Sequence, residues 1–144
     1  MMDIPDINVW LALVDENHMH HDTALAYWNL GSADQMAFCR ITMLGFMRLC
    51  TQPRVLSRTL TNAETWDIYQ RYLATPKLAF VAEPDNLDVH FLTLTRDTGL
   101  PNRCWTDAYL AALALATNTR LVSFDADFQR FHQLNFLHLT AAQP

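Results

Sequence analysis

Three aspartates, with a fourth close behind one of them, are by type and place the chain's candidates for chemistry. Asp6, Asp107 and Asp125 each stand where an element of structure begins or ends, and Asp127 follows Asp125 by two residues. They are remote from one another along the chain, so they act together only if folding gathers them. Gathered carboxylates repel and titrate high unless a cation joins them. A donor set made only of oxygen selects Mg²⁺ or Mn²⁺ over zinc. Such ions keep several waters, which suits phosphoryl transfer: the ion orients and acidifies a water and neutralises charge on the scissile phosphate. Each acid also has a purely structural use. Asp107 at a helix start is worth ~0.3–1 kcal/mol against the helix dipole. Asp125 and Asp127 suit a turn or a cap on the short segment 128–131, and Asp6 suits a cap on the helix containing Trp10. The chemical reading therefore rests on their convergence.

Other reactive groups say less. His18 and His21 share a helix face at i, i+3 spacing within His-Met-His-His, but no further metal ligand accompanies them. Cys39, Cys50 and Cys104 are an odd count without a Cys-x-x-Cys pair, so buried packing is expected rather than a disulfide framework or a zinc site. Trp10, Trp28, Trp66 and Trp105 are expected as core or interface anchors; Trp105, beside Asp107, is also placed to stack on a base. Serine-nucleophile motifs, a P-loop and the dinucleotide glycine fingerprint are all missing, and the chain has only three glycines.

The elements that must position the acids alternate between strand and helix. Residues 2–5 open the chain, and the apolar run 9–14 follows. Residues 18–30 read as an amphipathic helix with Ala24, Tyr27, Trp28 and Leu30 toward the core, ended by Gly31-Ser32. Residues 36–39 read as a buried strand. A helix over 42–50 takes Thr42 as its N-cap, and another spans 62–73 before Thr75-Pro76 breaks it. Residues 78–81 form a strand, 87–98 a helix closed by Gly99-Leu100-Pro101, and 106–118 a helix apolar almost all round, hence buried. Strands at 120–124 and 135–139 complete the pattern. Strands separated by helices predict an α/β fold with a mostly parallel sheet, whose ligands bind at the carboxyl ends of the strands, where strand order reverses.

Composition agrees with one domain over residues 1–144. The chain is 51% hydrophobic and 17% charged, enough apolar material for a core. No apolar run approaches the ~18–20 residues of a membrane span, and no secretory signal opens the sequence, so a reducing cytoplasm is the expected setting. The net charge is −5, a poor basis for non-specific nucleic-acid binding. It is uneven, however. Residues 1–39 hold six acids and no Lys or Arg, whereas 40–77 hold six bases against Glu64 and Asp67. An arginine-rich stretch of that kind is able to grip phosphates.

Four motifs in order carry a resemblance across essentially the whole chain. They are Asp6-Ile-Asn8-Val-Trp-Leu-Ala-Leu13, Ile41-Thr-Met-Leu-Gly-Phe-Met-Arg48-Leu, Thr106-Asp107-Ala-Tyr-Leu-Ala-Ala-Leu-Ala, and Leu121-Val-Ser-Phe-Asp125-Ala-Asp127-Phe128. The chain resembles PIN-domain proteins of the VapC type, the toxins of bacterial toxin–antitoxin pairs. The resemblance implies a three-layer α/β/α sandwich with a five-stranded, mostly parallel sheet. It implies an endoribonuclease that uses Mg²⁺ or Mn²⁺, commonly a homodimer, silenced by a VapB-type antitoxin. By motif position, Asp6, Asp107 and Asp125 correspond to the metal-site and catalytic acids. Asn8, Thr106 and Asp127 match polar neighbours that support them, and Arg48 matches a frequently basic position. Arg48, Arg54 and Arg58 are then the expected contacts to RNA phosphates. Two departures stand out. Gly45 occupies the position of the family's usual glutamate, and no carboxylate lies anywhere from Gln35 to Ala63. The site thus has one acid fewer, with Asp127 or Asp22 as possible substitutes, and a catalytically weak or inactive PIN scaffold is the alternative. Pro5 precedes Asp6 where an apolar strand usually continues, and a proline there removes a ladder hydrogen bond.

Overall fold

The computed structural model describes residues 1–96 and 99–141. Its centre is β1 (Met2–Pro5), a strand buried from both faces. The chain then moves outward on one side through β2 (Gln35–Cys39) and β3 (Leu78–Val81). It returns across β1 to β4 (Arg120–Ser123) and β5 (Phe136–His138). The order is β3-β2-β1-β4-β5 and every pairing is parallel. Strand order therefore reverses between β1 and β4, which makes their carboxyl ends the expected ligand edge. The fold is the three-layer α/β/α sandwich that the motifs imply.

Six helices cover the two faces among the described residues. On one side lie α1 (Ile7–Val14), α2 (His21–Ala26), α3 (Arg40–Cys50) and α4 (Asn62–Ala74). Trp10 is the centre of that core: fully buried, it stacks on Phe38 at 4.0 Å between ring centroids and meets Tyr72 edge-on. On the other side, α5 (Leu87–Thr95) and α6 (Trp105–Thr117) pack over Ile4 and Leu121. Ala108 and the run Leu110–Ala114 are buried, so α6 is apolar for the reason its sequence gives.

Several boundaries differ from the sequence expectation. The helix expected over 18–30 is α2 followed by a π-turn at Tyr27–Gly31, closed by a bond from Ser32 N to Tyr27 O. The wider turn rotates Leu30 off the face that Ala24 and Tyr27 share. Leu30 is 90% exposed and does not face the core. Thr42 is not an N-cap. The helix α3 starts at Arg40, and the Thr42 hydroxyl sits in its first turn, accepting from Cys39 N at 3.0 Å. α5 ends at Thr95, and part of its expected C-terminus (residues 97–98) lies outside the described residues. Trp66 and Trp105 are about half exposed rather than core anchors.

Pro5 costs the sheet little. Asp6 N donates to Val122 O of β4 at 2.8 Å, so alternation directs the missing proline N–H toward β2. The ladder between β1 and β2 already stops at Asp3–Met36. At the opposite end of β1, fully buried Asp3 is held by Arg120 through two bonds of 2.8 and 2.9 Å, by Tyr27 Oη at 2.7 Å and by Ala33 N at 3.0 Å. With all partners present this buried charge is compensated; losing one partner would cost several kcal/mol, about 3–5.

Candidate active site

The β1–β4 switch point assembles the acids from three stretches of chain. Asp6 leaves β1 as the N-cap of α1, its Oδ1 accepting from Ile7 N at 2.8 Å. Asp125 leaves β4 and caps the short 3-10 turn Ala126–Arg130, its Oδ1 accepting from Asp127 N at 2.9 Å. Asp107 stands in the first turn of α6. The caps expected of Asp6 and Asp125 are therefore present, and Asp107 stands at the helix start expected of it.

Ser123 ties the arrangement together. Its side chain is fully buried at the end of β4. The hydroxyl donates to Asp6 Oδ2 at 2.9 Å and accepts from Asn8 Nδ2 at 3.0 Å and from Asp125 N at 2.9 Å. One donor and two lone pairs are all used. Asn8 in turn accepts from Phe124 N through its Oδ1 at 3.3 Å. Asn8 is thus linked through Ser123 to Asp6 and to the Asp125 main chain. In the sequence Ser123 is one residue of the fourth motif, with no role of its own. Its signal was its place two residues before Asp125, at the last inward position of a strand.

Asp6, Asp125 and Asp127 are near enough to Asp107 for their charges to act on it. Burial first, and then the charges of Asp6, Asp125 and Asp127, together lift the Asp107 carboxyl to about 6, against the pull of Arg130. Burial likewise raises Asp6, with Asp125 adding to it, while the bonds from Ser123 and Ile7 work the other way. Asp127 therefore belongs to this cluster, whereas Asp22, exposed on α2, is not among the charges that act on it. Thr106 is exposed, and among the described residues no hydrogen bond links it to the acids.

The donor set fits a hard divalent ion that keeps its waters. It is carboxylate oxygen, the Ser123 hydroxyl being fully engaged, and no side-chain hydrogen bond of Asp107 is present among the described residues. Among those residues no group of three or more His, Cys, Asp or Glu side chains is placed to hold a metal ion by itself. An ion at this edge would have to be held through one or two carboxylates and its own waters, the mode of Mg²⁺. The histidine segment does other things. His21 Nδ1 bonds Ala12 O at 2.7 Å, and His20 stacks on Phe124 at 4.6 Å. All three cysteines are buried and unpaired.

Gly45 has a packing reason. It is buried where α3 crosses α1, and a Cβ there would collide with Ile7 Cδ1. A glutamate at 45 has no room while Ile7 occupies that space. The expected phosphate contacts are spread out. Arg48 is exposed in a cleft of about 330 Å³ between α3 and α4, lined also by Leu44, Met47 and Trp66. Arg54 sits in the following loop with a left-handed φ of 69°. Arg58 already forms a two-pronged ion pair with Glu64 at 2.7 and 3.2 Å. The base that acts directly on the acids is Arg130, which sequence reasoning passed over; its signal was its position five residues after Asp125, in a segment otherwise rich in acid.

Comparison with known proteins agrees with this fold. The family model described as PIN domain matches residues 4–134. Ribonuclease VapC41 of Mycobacterium tuberculosis strain H37Rv is 34% identical over 132 residues, covering 88% of this chain and 90% of that protein. Among solved structures, VapBC2 from Rickettsia felis, bound to a DNA fragment from its promoter, superposes with a TM-score of 0.69 at 16% identity. It covers 97% of this chain and 100% of that one. VapC20 of Mycobacterium tuberculosis, a toxin that cleaves the sarcin–ricin loop, gives 0.69 at 12% identity and 99% coverage of both chains.

Proposed function

This chain belongs to the PIN-domain family, among the proteins named ribonuclease VapC, and on that premise we propose that it is a divalent-metal-dependent endoribonuclease toxin of a toxin–antitoxin pair. The observation that carries the reading is the raised Asp107 carboxyl at the β1–β4 switch point, lifted by burial and by three neighbouring acids. Asp6, Asp107 and Asp125 would hold Mg²⁺ or Mn²⁺, which when bound neutralises phosphate charge and acidifies a water. Asp6 contributes a carboxylate whose rotamer Ser123 fixes through Oδ2. The Asp125 main chain is fixed by the same hydroxyl, so both acids keep their spacing as substrate arrives. Asp107, whose charge is disfavoured by burial and by the neighbouring acids while no cation is bound, is the carboxylate that a divalent ion would relieve most. Arg48 and Arg54 would meet phosphates farther along the strand, and Arg58 joins them only by leaving Glu64.

A VapB-type antitoxin is the partner this reading assigns, supported by neighbours solved as VapBC complexes. A homodimer acting in the cytoplasm, as a single domain over residues 1–144, completes it. No helix among the described residues is long and apolar enough to cross a membrane. A second reading, a PIN scaffold that binds RNA or protein without cutting, is favoured by one observation: Ile7 fills the space a glutamate at 45 would need. Incubating the purified chain with structured RNA in Mg²⁺, Mn²⁺ or EDTA separates the two. Cleavage in both metals and none in EDTA supports the nuclease; intact RNA in all three supports the scaffold.

A further inference from the structure

A further concavity lies against the segment that follows the turn capped by Asp125. Its volume is about 310 Å³, and it runs between the C-terminal half of α5 and the segment following the 3-10 turn. Leu100 and Phe131 form an apolar floor, while Thr93, Arg130, His132 and Gln133 line it with polar groups. An apolar floor with a few convergent polar groups, at this volume, describes a small-ligand site. The segment is held in place by its own backbone. Asp125 caps the turn that ends at Arg130, Phe131 N donates to Phe128 O at 3.1 Å, and Leu134 N donates to Phe131 O at 3.0 Å. Phe128 and Phe131 are buried in the core beneath it. The polar side chains of 130–133 thus project from a fixed base that begins at a site acid.

Arg130 makes the connection to the reaction edge. It is exposed, forms no ion pair with any carboxylate among the described residues, and its charge reaches Asp107. A guanidinium offers a planar fork for two phosphate oxygens. The acidic cleft by itself repels a polyanion, so a base on its flank is needed to bring one in. We propose that this cleft is a nucleotide subsite for single-stranded RNA, in which Arg130 receives a phosphate next to the scissile one and His132 and Gln133 meet the edge of its base. The subsite rests on the nuclease reading above and names where the strand lies. Hydrogen-bonding donors and acceptors on Gln133 give the site a means of preferring one base.

Cleavage of fluorescent single-stranded oligoribonucleotides in Mg²⁺, and their binding by anisotropy in EDTA, test this in the full chain and in Arg130→Ala, Arg130→Lys and Gln133→Ala. Arg130→Ala is expected to raise KM about tenfold, the loss of one charged hydrogen bond, with kcat within about twofold. It should also flatten the dependence of log Kd on log salt by about 0.7, the value for one phosphate of a single strand. Arg130→Lys should keep that slope, which a merely structural role for Arg130 would not require. Gln133→Ala should broaden base preference beside the cut. Wild-type cleavage with KM and salt slope unchanged in Arg130→Ala overturns the subsite alone. A wild-type chain that neither binds nor cuts RNA overturns the nuclease reading and the subsite with it.

Discussion

Replacing Asp107 by asparagine should abolish RNA cleavage and at the same time stabilise the metal-free protein. The carboxyl titrates near 6 in the fold against an ordinary 3.8, chiefly because burial disfavours its charge and secondarily because Asp6, Asp125 and Asp127 repel it. The sign follows from linkage. A carboxyl raised in the folded state is penalised when ionised, so the penalty is absent below about 4, grows through 6 and is complete above it. At 1.36 kcal/mol per pH unit the bound is about 3 kcal/mol. The group is only partly buried, and solvent screening reduces this to about 1 kcal/mol. For a chain of this length that is about 3 °C in Tm. Thermal unfolding in EDTA should therefore show Asp107→Asn melting about 3 °C above wild type at pH 7.5 and level with it at pH 4. Wild type should gain more stability than the variant as pH falls from 7.5 toward 5, since raised Asp6 titrates in both and Asp107 only in wild type. Saturating Mg²⁺ should raise the wild-type Tm and leave the variant nearly unmoved. A variant less stable than wild type at pH 7.5, or equally shifted at both pH values, would refute the claim that these acids crowd one another.

Two further substitutions probe how the acids are held. Ser123→Ala removes the hydroxyl that serves Asp6, Asn8 and Asp125 together, and cleavage at fixed metal should fall about 10–100-fold while circular dichroism remains that of the wild type; full activity in this variant would show that the hydroxyl positions nothing. Gly45→Ala gains about 1 kcal/mol of helix propensity but meets Ile7, an overpacking cost of about 1–3 kcal/mol, so it should destabilise by about 1 kcal/mol net. In an Ile7→Ala background the same change should stabilise by about 1 kcal/mol, and equal effects in both backgrounds would exclude the packing account of Gly45.

Much of the architecture could be read from the chain because strand and helix periods alternate cleanly from residue 35 onward. The four parallel-sheet positions beside β1, the buried helix α6 and the polar breaks between them all follow from local pattern. Pattern failed where the backbone left regular geometry. The π-turn at Tyr27–Gly31 turned Leu30 outward, and periodicity at 3.6 residues per turn has no means of showing a five-residue turn. It failed again at Thr42, whose hydroxyl serves α3 from inside the first turn rather than from its cap. The candidate acids were legible because each stands at an element boundary. Ser123 and Arg130 were not. A serine inside a strand reads as ordinary packing, and what makes Ser123 matter is the approach of Asn8, 115 residues away in sequence. Arg130 matters only because the 3-10 turn swings it back toward Asp107. Gly45 was legible as a departure, while its cause, the Ile7 side chain of a crossing helix, is a tertiary fact.

The most direct measurement is an anomalous difference map from crystals of this protein soaked in Mn²⁺. One peak is expected at the carboxyl ends of β1 and β4, touching Asp6, Asp107 or Asp125 directly and reaching the rest through ordered waters, and it should vanish in Asp107→Asn. A map with no peak at that edge, or with manganese bound at the histidine segment instead, would contradict the account.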